Sequence, residues 1–226
     1  VCSRRDADKL IEQGKVLVNG QVAGMGQQVE ETDTVQVGKK ILQGKQTQKV
    51  LAFYKPVGVT CTERDPHAEK KIMDMIRYPE RLTYAGRLDK DSEGLILLTN
   101  DGDLINAMMR GANRHEKEYI VKTDREITPD FLEKMAKGIY LKDLDITTRE
   151  CEIEQIGKFT FRIVLTQGVN RQIRRMCEAC GYRVKALKRI RIMNILLGDL
   201  KPGKWREITG EELEQLQRDT GMLNRN

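Results

Sequence analysis

Two short apolar runs with charged residues packed between them, at 82–85 and 95–98, limit what this 226-residue chain can fold into more than any other feature. Neither run is long enough for a helix, and Gly86 and Gly94 punctuate them, so the spacing predicts a strand, a loop and a second strand, both strands buried. The loop between them carries Arg87, Asp89, Lys90, Asp91 and Glu93. These charges read either as a solvated turn or, more sharply, as a sheet edge that holds Asp89 as a reactive carboxylate.

The N-terminal stretch gives clear local signals. Ser3 is an N-cap with Asp6 three residues on, Gly14 stops the helix, and Asn19-Gly20 joins strands 16–18 and 21–23 as a type I′ hairpin. Arg4, Arg5 and Lys9 crowd the helix start, where positive charge opposes the helix dipole and so points to a ligand as readily as to solvent. A strand at 29–37 follows. The aromatic-free stretch 38–48 marks a domain boundary, which we set as a small module over 1–44, a linker over 45–48 and a main domain over 49–226.

In the main domain, strand 50–54 stops at Lys55-Pro56, because proline has no N–H for a ladder. The pattern predicts a surface helix at 68–76, a helix at 101–109 with Met108 and Met109 in the core, strand 117–122 and helix 128–137. Strands 150–156 and 159–166 form a hairpin, followed by helix 170–180, strand 183–195 with Arg189 and Arg191 on a basic face, and helix 208–217. The fold class is α+β.

Charge bounds the partners. Forty Lys and Arg against 34 Asp and Glu give a formal +6, and between Arg162 and Arg206 only Glu178 and Asp199 interrupt a dozen bases. That clustering fits a phosphate-facing surface. Apolar runs stay well short of the roughly 20 residues needed to cross a bilayer, and no signal-peptide pattern opens the sequence, so the expected place is the cytoplasm. Cys177-x-x-Cys180 lacks two further ligands at zinc spacing, with His67 and His115 badly placed, and reads as a helix face with two free thiols.

The string G-R-L-D-x-D-S-x-G-L from Gly86, with KPVG at 55–58, HEKEY at 115–119 and GVNRQIRRM at 168–176, resembles the pseudouridine synthases of the RsuA, RluB, RluE and RluF type. The segment from Asn170 to Ile195 is most similar to the RluF-like branch, which acts on large-subunit ribosomal RNA. The opening 20 residues resemble an S4 RNA-binding module that lacks its usual first helix. The resemblance implies a mixed, mostly antiparallel central sheet flanked by helices, no cofactor and no metal, and a monomer acting on ribosomal RNA, with transfer RNA as a second candidate substrate.

It also implies roles. Asp89 is the nucleophile at ribose C1′, or the base that removes a ribose proton; Arg174 is the cation paired with it; Tyr119 stacks on the uracil. Ile173 and Leu88 wall the pocket, while Arg87, Lys90, Val169, Asn170, Arg171 and Gln172 lie against RNA around an extruded nucleotide. Arg189 and Arg191 extend the phosphate track. Two other classes remain open: an RNA-binding assembly factor without activity, and a hydrolase using Asp89, Asp91, Asp101 and Asp103 around a divalent metal.

Overall fold

A computed structural model describes residues 2–30, 32–42, 47–62 and 69–223. His67 lies outside them. The chain divides into two compact units, Val1–Gln48 and Lys49–Asn226.

The first unit holds α1 (Arg4–Glu12) and a four-stranded sheet of β1 (Val16–Val18), β2 (Gln21–Val22), β3 (Val35–Val37) and β4 (Lys40–Ile41), in the order β2-β1-β3-β4. The Ser3 hydroxyl accepts the Asp6 N–H at 3.2 Å and starts the helix. Asn19 and Gly20 take φ of 51° and 81°, the positive pair that a type I′ turn requires. Val16, Val18 and Ala23 make a small core with Leu10, Ile11, Val35 and Val37 around it. Among the described residues, the strand expected at 29–37 is confined to its last three. Asp33 explains the loss: its carboxylate accepts the Glu30 N–H at 2.8 Å and its own N–H donates to the Glu30 carbonyl, so a turn replaces the ladder.

The second unit contains β5 (Val50–Lys55), β6 (Thr83–Ala85), β7 (Glu93–Thr99), α2 (Gly102–Met109), β8 (Lys117–Thr123), α3 (Pro129–Ala136), β9 (Tyr140–Leu141) and β10 (Ile146–Thr147). Next come β11 (Glu152–Gly157), β12 (Thr160–Leu165), α4 (Gln172–Ala179), β13 (Val184–Ile192), β14 (Ile195–Leu196), β15 (Trp205–Glu207) and α5 (Gly210–Asp219). The main sheet runs β11-β12-β8-β13-β7-β5-β15, with β6 on β7 and β14 on β13. Every pairing in it is antiparallel except β13 with β7, giving the mixed α+β architecture expected from the sequence.

Strands β5 and β7 are apolar at nearly every position because both faces are covered. Ala52, Tyr54, Leu95 and Leu97 pack with Leu104 and Met108 of α2 and Leu216 of α5. Their alternates Leu51, Phe53, Ile96 and Leu98 pack with Val59, Ile72 and Leu82. On the other half of the sheet, Val121, Phe161 and Ile163 bury against Phe131 and Met135 of α3 and Ile173, Met176 and Cys177 of α4. Tyr119 touches the second and third of these clusters and so sits at their seam.

Several expectations need correction. The helix at 68–76 is, among the described residues, an extended arm bridging Thr60 to Lys71 and one 3-10 turn, Ile72–Met75. Ile72 and Ile76 are buried there, so apolar spacing that reads as an amphipathic helix instead anchors a short turn. Met109 is exposed, because α2 turns Leu104 and Met108 inward and leaves the next residue about 100° round. Cys180 is the C-cap of α4 and packs against the same apolar cluster as Cys177, both thiols are free, and burial pushes the Cys177 thiol up to about 12.

Strand 183–195 breaks at Met193 (φ 51°), and its alternation already fails between Arg189 and Arg191. Opposite β8 the register slips, so Arg189 faces Tyr119 and Arg191 faces the very next residue, Glu118. This bulge sends the two arginines to opposite faces. Arg189 is 2 % exposed, and Arg191 forms ion pairs with Glu116 at 3.0 Å and Glu118 at 2.6 Å. The continuous basic face expected there does not exist.

Candidate active site

The loop from Gly86 to Ser92 is fixed through its second half. Ser92 N–H donates to the Asp89 carbonyl at 3.1 Å, and Gly58 of the 55–58 turn donates to the Lys90 carbonyl at 2.7 Å. Leu88 buries beneath it. With the backbone fixed this way, the Asp89 side chain stays 34 % exposed at the mouth of a cleft of about 800 Å³.

Gly94 sets the cleft's depth. It pairs with Lys55 of β5 on one side and Arg189 of β13 on the other, at φ 113°. A Cβ there would fall 2.2 Å from the Arg189 carbonyl oxygen, so only glycine lets β13 come this close. The approach brings Arg189 and Tyr119 into line with the Asp89 loop, and all three line the cleft.

The opposite wall is the start of α4. Arg171 precedes it at φ 50°, an uncommon conformation for a side chain this size. Gln172 Oε1 accepts the Val169 N–H at 3.2 Å, and its own N–H donates to the Val169 carbonyl at 3.2 Å, so the turn before the helix is closed from both sides. Arg171 reaches Asp89 Oδ2 at 3.4 Å and grips both oxygens of Asp91 at 3.3 and 3.2 Å. Arg174, expected to pair with Asp89, instead donates from Nη2 to the Asp91 carbonyl at 2.9 Å and Ser92 Oγ at 3.1 Å, with Asp91 Oδ2 at 3.2 Å. One helical turn separates the two arginines, and the positive φ at Arg171 swings the first of them onto the nearer carboxylate. Partial burial pushes the Asp91 carboxyl up, but the Arg171 hydrogen bonds and the charges of Arg174 and Arg171 outweigh it and leave the group below its usual range.

Asp89, Tyr119 and Arg174 therefore share one cleft with Arg87, Leu88, Lys90, Val169, Asn170, Arg171, Gln172, Ile173 and Arg189. Arg191 lies outside its lining, while Arg4, Arg5 and Lys9 are exposed on the first unit. Sequence reasoning missed Ser92, His115 and Lys117, which also line it. Lys117 stands two residues before Tyr119 on a strand, so period-two alternation alone would have placed it on the same face. Lys55, read only as structural, is fully buried at the end of β5 with Nζ donating to the Pro56 carbonyl at 2.9 Å. Burial holds its pKa below the ordinary lysine value, opposed by Cys61 and the carboxylates of Asp89, Asp91 and Glu93. Among the described residues no three His, Cys, Asp or Glu side chains converge so as to hold a metal ion, and Asp101 is engaged in capping α2 through Asp103 N and Leu104 N.

Comparison with known proteins gives this constellation a context. Residues 49–179, more than half of the chain, match the family model of RNA pseudouridylate synthases. The chain belongs to the RNA pseudouridine synthase family. Residues 1–35 of the synthase match the S4 domain. It is 45 % identical over 218 residues to the dual-specificity RNA pseudouridine synthase RluF of Escherichia coli K12, covering 96 % of this chain and 74 % of that one. Ribosomal large subunit pseudouridine synthase B of Vibrio cholerae is 33 % identical, over 95 % of this synthase and 70 % of its own length. A crystal structure of a pseudouridylate synthase superposes with a TM-score of 0.72 at 28 % identity, covering 95 % of this chain and 94 % of the other. The family read from the sequence motifs is thus the family that the comparisons give.

Proposed function

We propose that this synthase isomerises a uridine of large-subunit ribosomal RNA to pseudouridine, with Asp89 acting at the ribose. The observation that carries the assignment is the convergence of Asp89, Tyr119 and the arginines 171 and 174 on one cleft large enough for a nucleotide. Isomerisation breaks the bond from C1′ to N1, turns the base and joins C1′ to C5. It requires a carboxylate at the ribose, and the Arg171 guanidinium lies 3.4 Å from Asp89 Oδ2. Asp89 either attacks C1′ or takes the C2′ proton. Tyr119 offers a flat face for the base, and Leu88 and Ile173 exclude water around it.

A paired uridine hides C1′ and C5, so the nucleotide leaves its stem before it reacts. Exposed Arg87 and Lys90, with Asn170 and half-exposed Arg171, flank the mouth where its phosphates would pass. The protein acts as a monomer in the cytoplasm, and the module carrying Arg4, Arg5 and Lys9 adds a sequence-tolerant RNA contact. Transfer RNA is a second substrate to include in the test, since RluF of E. coli is named for dual specificity.

The test is a transcript-wide pseudouridine map in cells lacking the protein, complemented with wild type or Asp89→Asn. One site or very few should vanish, and wild type alone should restore them, at the same rate in chelator. A deletion map identical to the parent would remove the enzymatic reading, and chelator sensitivity would favour a metal hydrolase.

A further inference from the structure

Two cations in the cleft have no role in the chemistry just described. Lys117 and Arg189 both line it, Lys117 on the same strand face as Tyr119 and Arg189 opposite Tyr119 in the ladder. Arg189 donates from Nε to the Leu95 carbonyl at 2.7 Å, but its Nη2 is buried without a hydrogen-bond partner. Lys117 Nζ makes one long bond, 3.4 Å to the His115 carbonyl. Burial holds the Lys117 pKa below the ordinary lysine value, and the Arg189 charge lowers it further. Neither forms an ion pair with a described carboxylate.

A buried arginine beside a half-buried lysine destabilises a fold unless an anion joins them. A backbone phosphate is a poor fit for that anion. Phosphates stay hydrated and meet exposed side chains such as Arg87 and Lys90, whereas Arg189 is 2 % exposed. The reaction itself supplies a better one: the uracil becomes an anion once it is released from the ribose, and it does so against Tyr119.

We propose that Lys117 and Arg189 form the leaving-group site for uracil, holding through its carbonyl oxygens the negative charge that develops as the C1′–N1 bond breaks. This deepens the isomerase reading and rests on it. The bonding pair passes to N1 and spreads over O2 and O4, while C1′ is captured by an Asp89 oxygen or relieved by transfer of the C2′ proton to it. After the base turns, C5 gives an electron pair to C1′, Asp89 is released or returns its proton to C2′, C5 loses its proton and N1 gains one. The sum is an isomerisation with no added oxidant, reductant or co-reactant.

Charge that exists only after bond breaking affects the rate and not the binding of uridine. The test uses the full chain, single-turnover conversion of transcribed large-subunit ribosomal RNA, and Lys117→Met, which keeps the volume and removes the charge. The rate should fall about 100-fold, the cost of removing one preorganised donor to developing charge. The Kd for RNA should stay within about threefold. Melting should be unchanged or higher, because an apolar group replaces a half-buried cation without an ion-pair partner. Lys117→Arg should recover most of the rate, and Arg189→Gln should fall in the same direction. An unchanged rate overturns the proposal, as does lost affinity with normal turnover, which would mark a phosphate contact, or a lower Tm, which would mark a structural role. A wild type that makes no pseudouridine overturns the isomerase reading itself, so the two failures are distinguishable.

Discussion

Arg171 and Arg174 leave the same stretch of chain, yet they do different work. Arg174 has a side chain only 14 % exposed, and it ties α4 to the Asp91 carbonyl and Ser92 Oγ, and through Nη1 to the Val184 carbonyl at 3.4 Å. Arg171 is 42 % exposed and is the guanidinium within reach of Asp89. Removing Arg174 unties the Asp89 loop, and hydrogen bonds to a charged donor of this kind are worth about 1.5–3 kcal/mol. Arg174→Ala should therefore lower both Tm and single-turnover rate, whereas Arg171→Ala should lower the rate with Tm almost unchanged. Equal Tm losses in the two variants would contradict this division. The motif spacing locates Arg174 on α4 and Arg171 at its start, but not that both meet Asp91 and only Arg171 reaches Asp89. That difference depends on the left-handed backbone at Arg171, for which the residue type gives no warning.

The element that assembles the site is β8, and one residue on it is placed to be tested by pH. Glu118 accepts from Arg191 of β13 at 2.6 Å and from Arg162 of β12 at 3.1 Å, clamping both neighbours of the strand that bears Tyr119. Burial raises the Glu118 pKa, and its hydrogen bonds to Arg191 and Arg162 outweigh that, leaving it below 4.5. A depressed carboxylate contributes stability that is complete above its unfolded value and is lost as pH falls through its folded one. Glu118→Gln should cost about 1–3 kcal/mol near pH 7, or several degrees of Tm, and progressively less below pH about 4. A constant Tm difference down to pH about 2 would refute it. The clamp also shows why sequence reading succeeded with some elements and failed with others. Strand β7 declares itself through unbroken apolar residues between glycines, and α4 through Ile173, Met176 and Cys177 at helical spacing. The basic face of β13 was misread because one extra residue at the bulge inverts the alternation, and nothing in the residues from Arg189 to Arg191 marks the slip.

At the scale of the molecule, the division at Gln48 and Lys49 separates parts of unequal means. The second unit has three apolar clusters, on two faces of one sheet and under two pairs of helices, enough to fold without help. In the first, three small buried side chains, Val16, Val18 and Ala23, carry the core, and Val22, Met25, Val29 and Ile41 stay more than half exposed. A unit of that size with so little buried apolar surface is marginal at best. Residues 49–226 expressed alone should melt in one cooperative transition and keep all the groups that line the cleft, while residues 1–48 alone should show weak, non-cooperative unfolding by circular dichroism. If the module serves to hold RNA, losing it should raise the KM for structured RNA and flatten its dependence on salt, because fewer counterions are released on binding. The single-turnover rate at saturating RNA should be preserved. A rate that collapses at saturation would mean the cleft is not complete within the second unit, and the assignment of catalysis to that unit would fail.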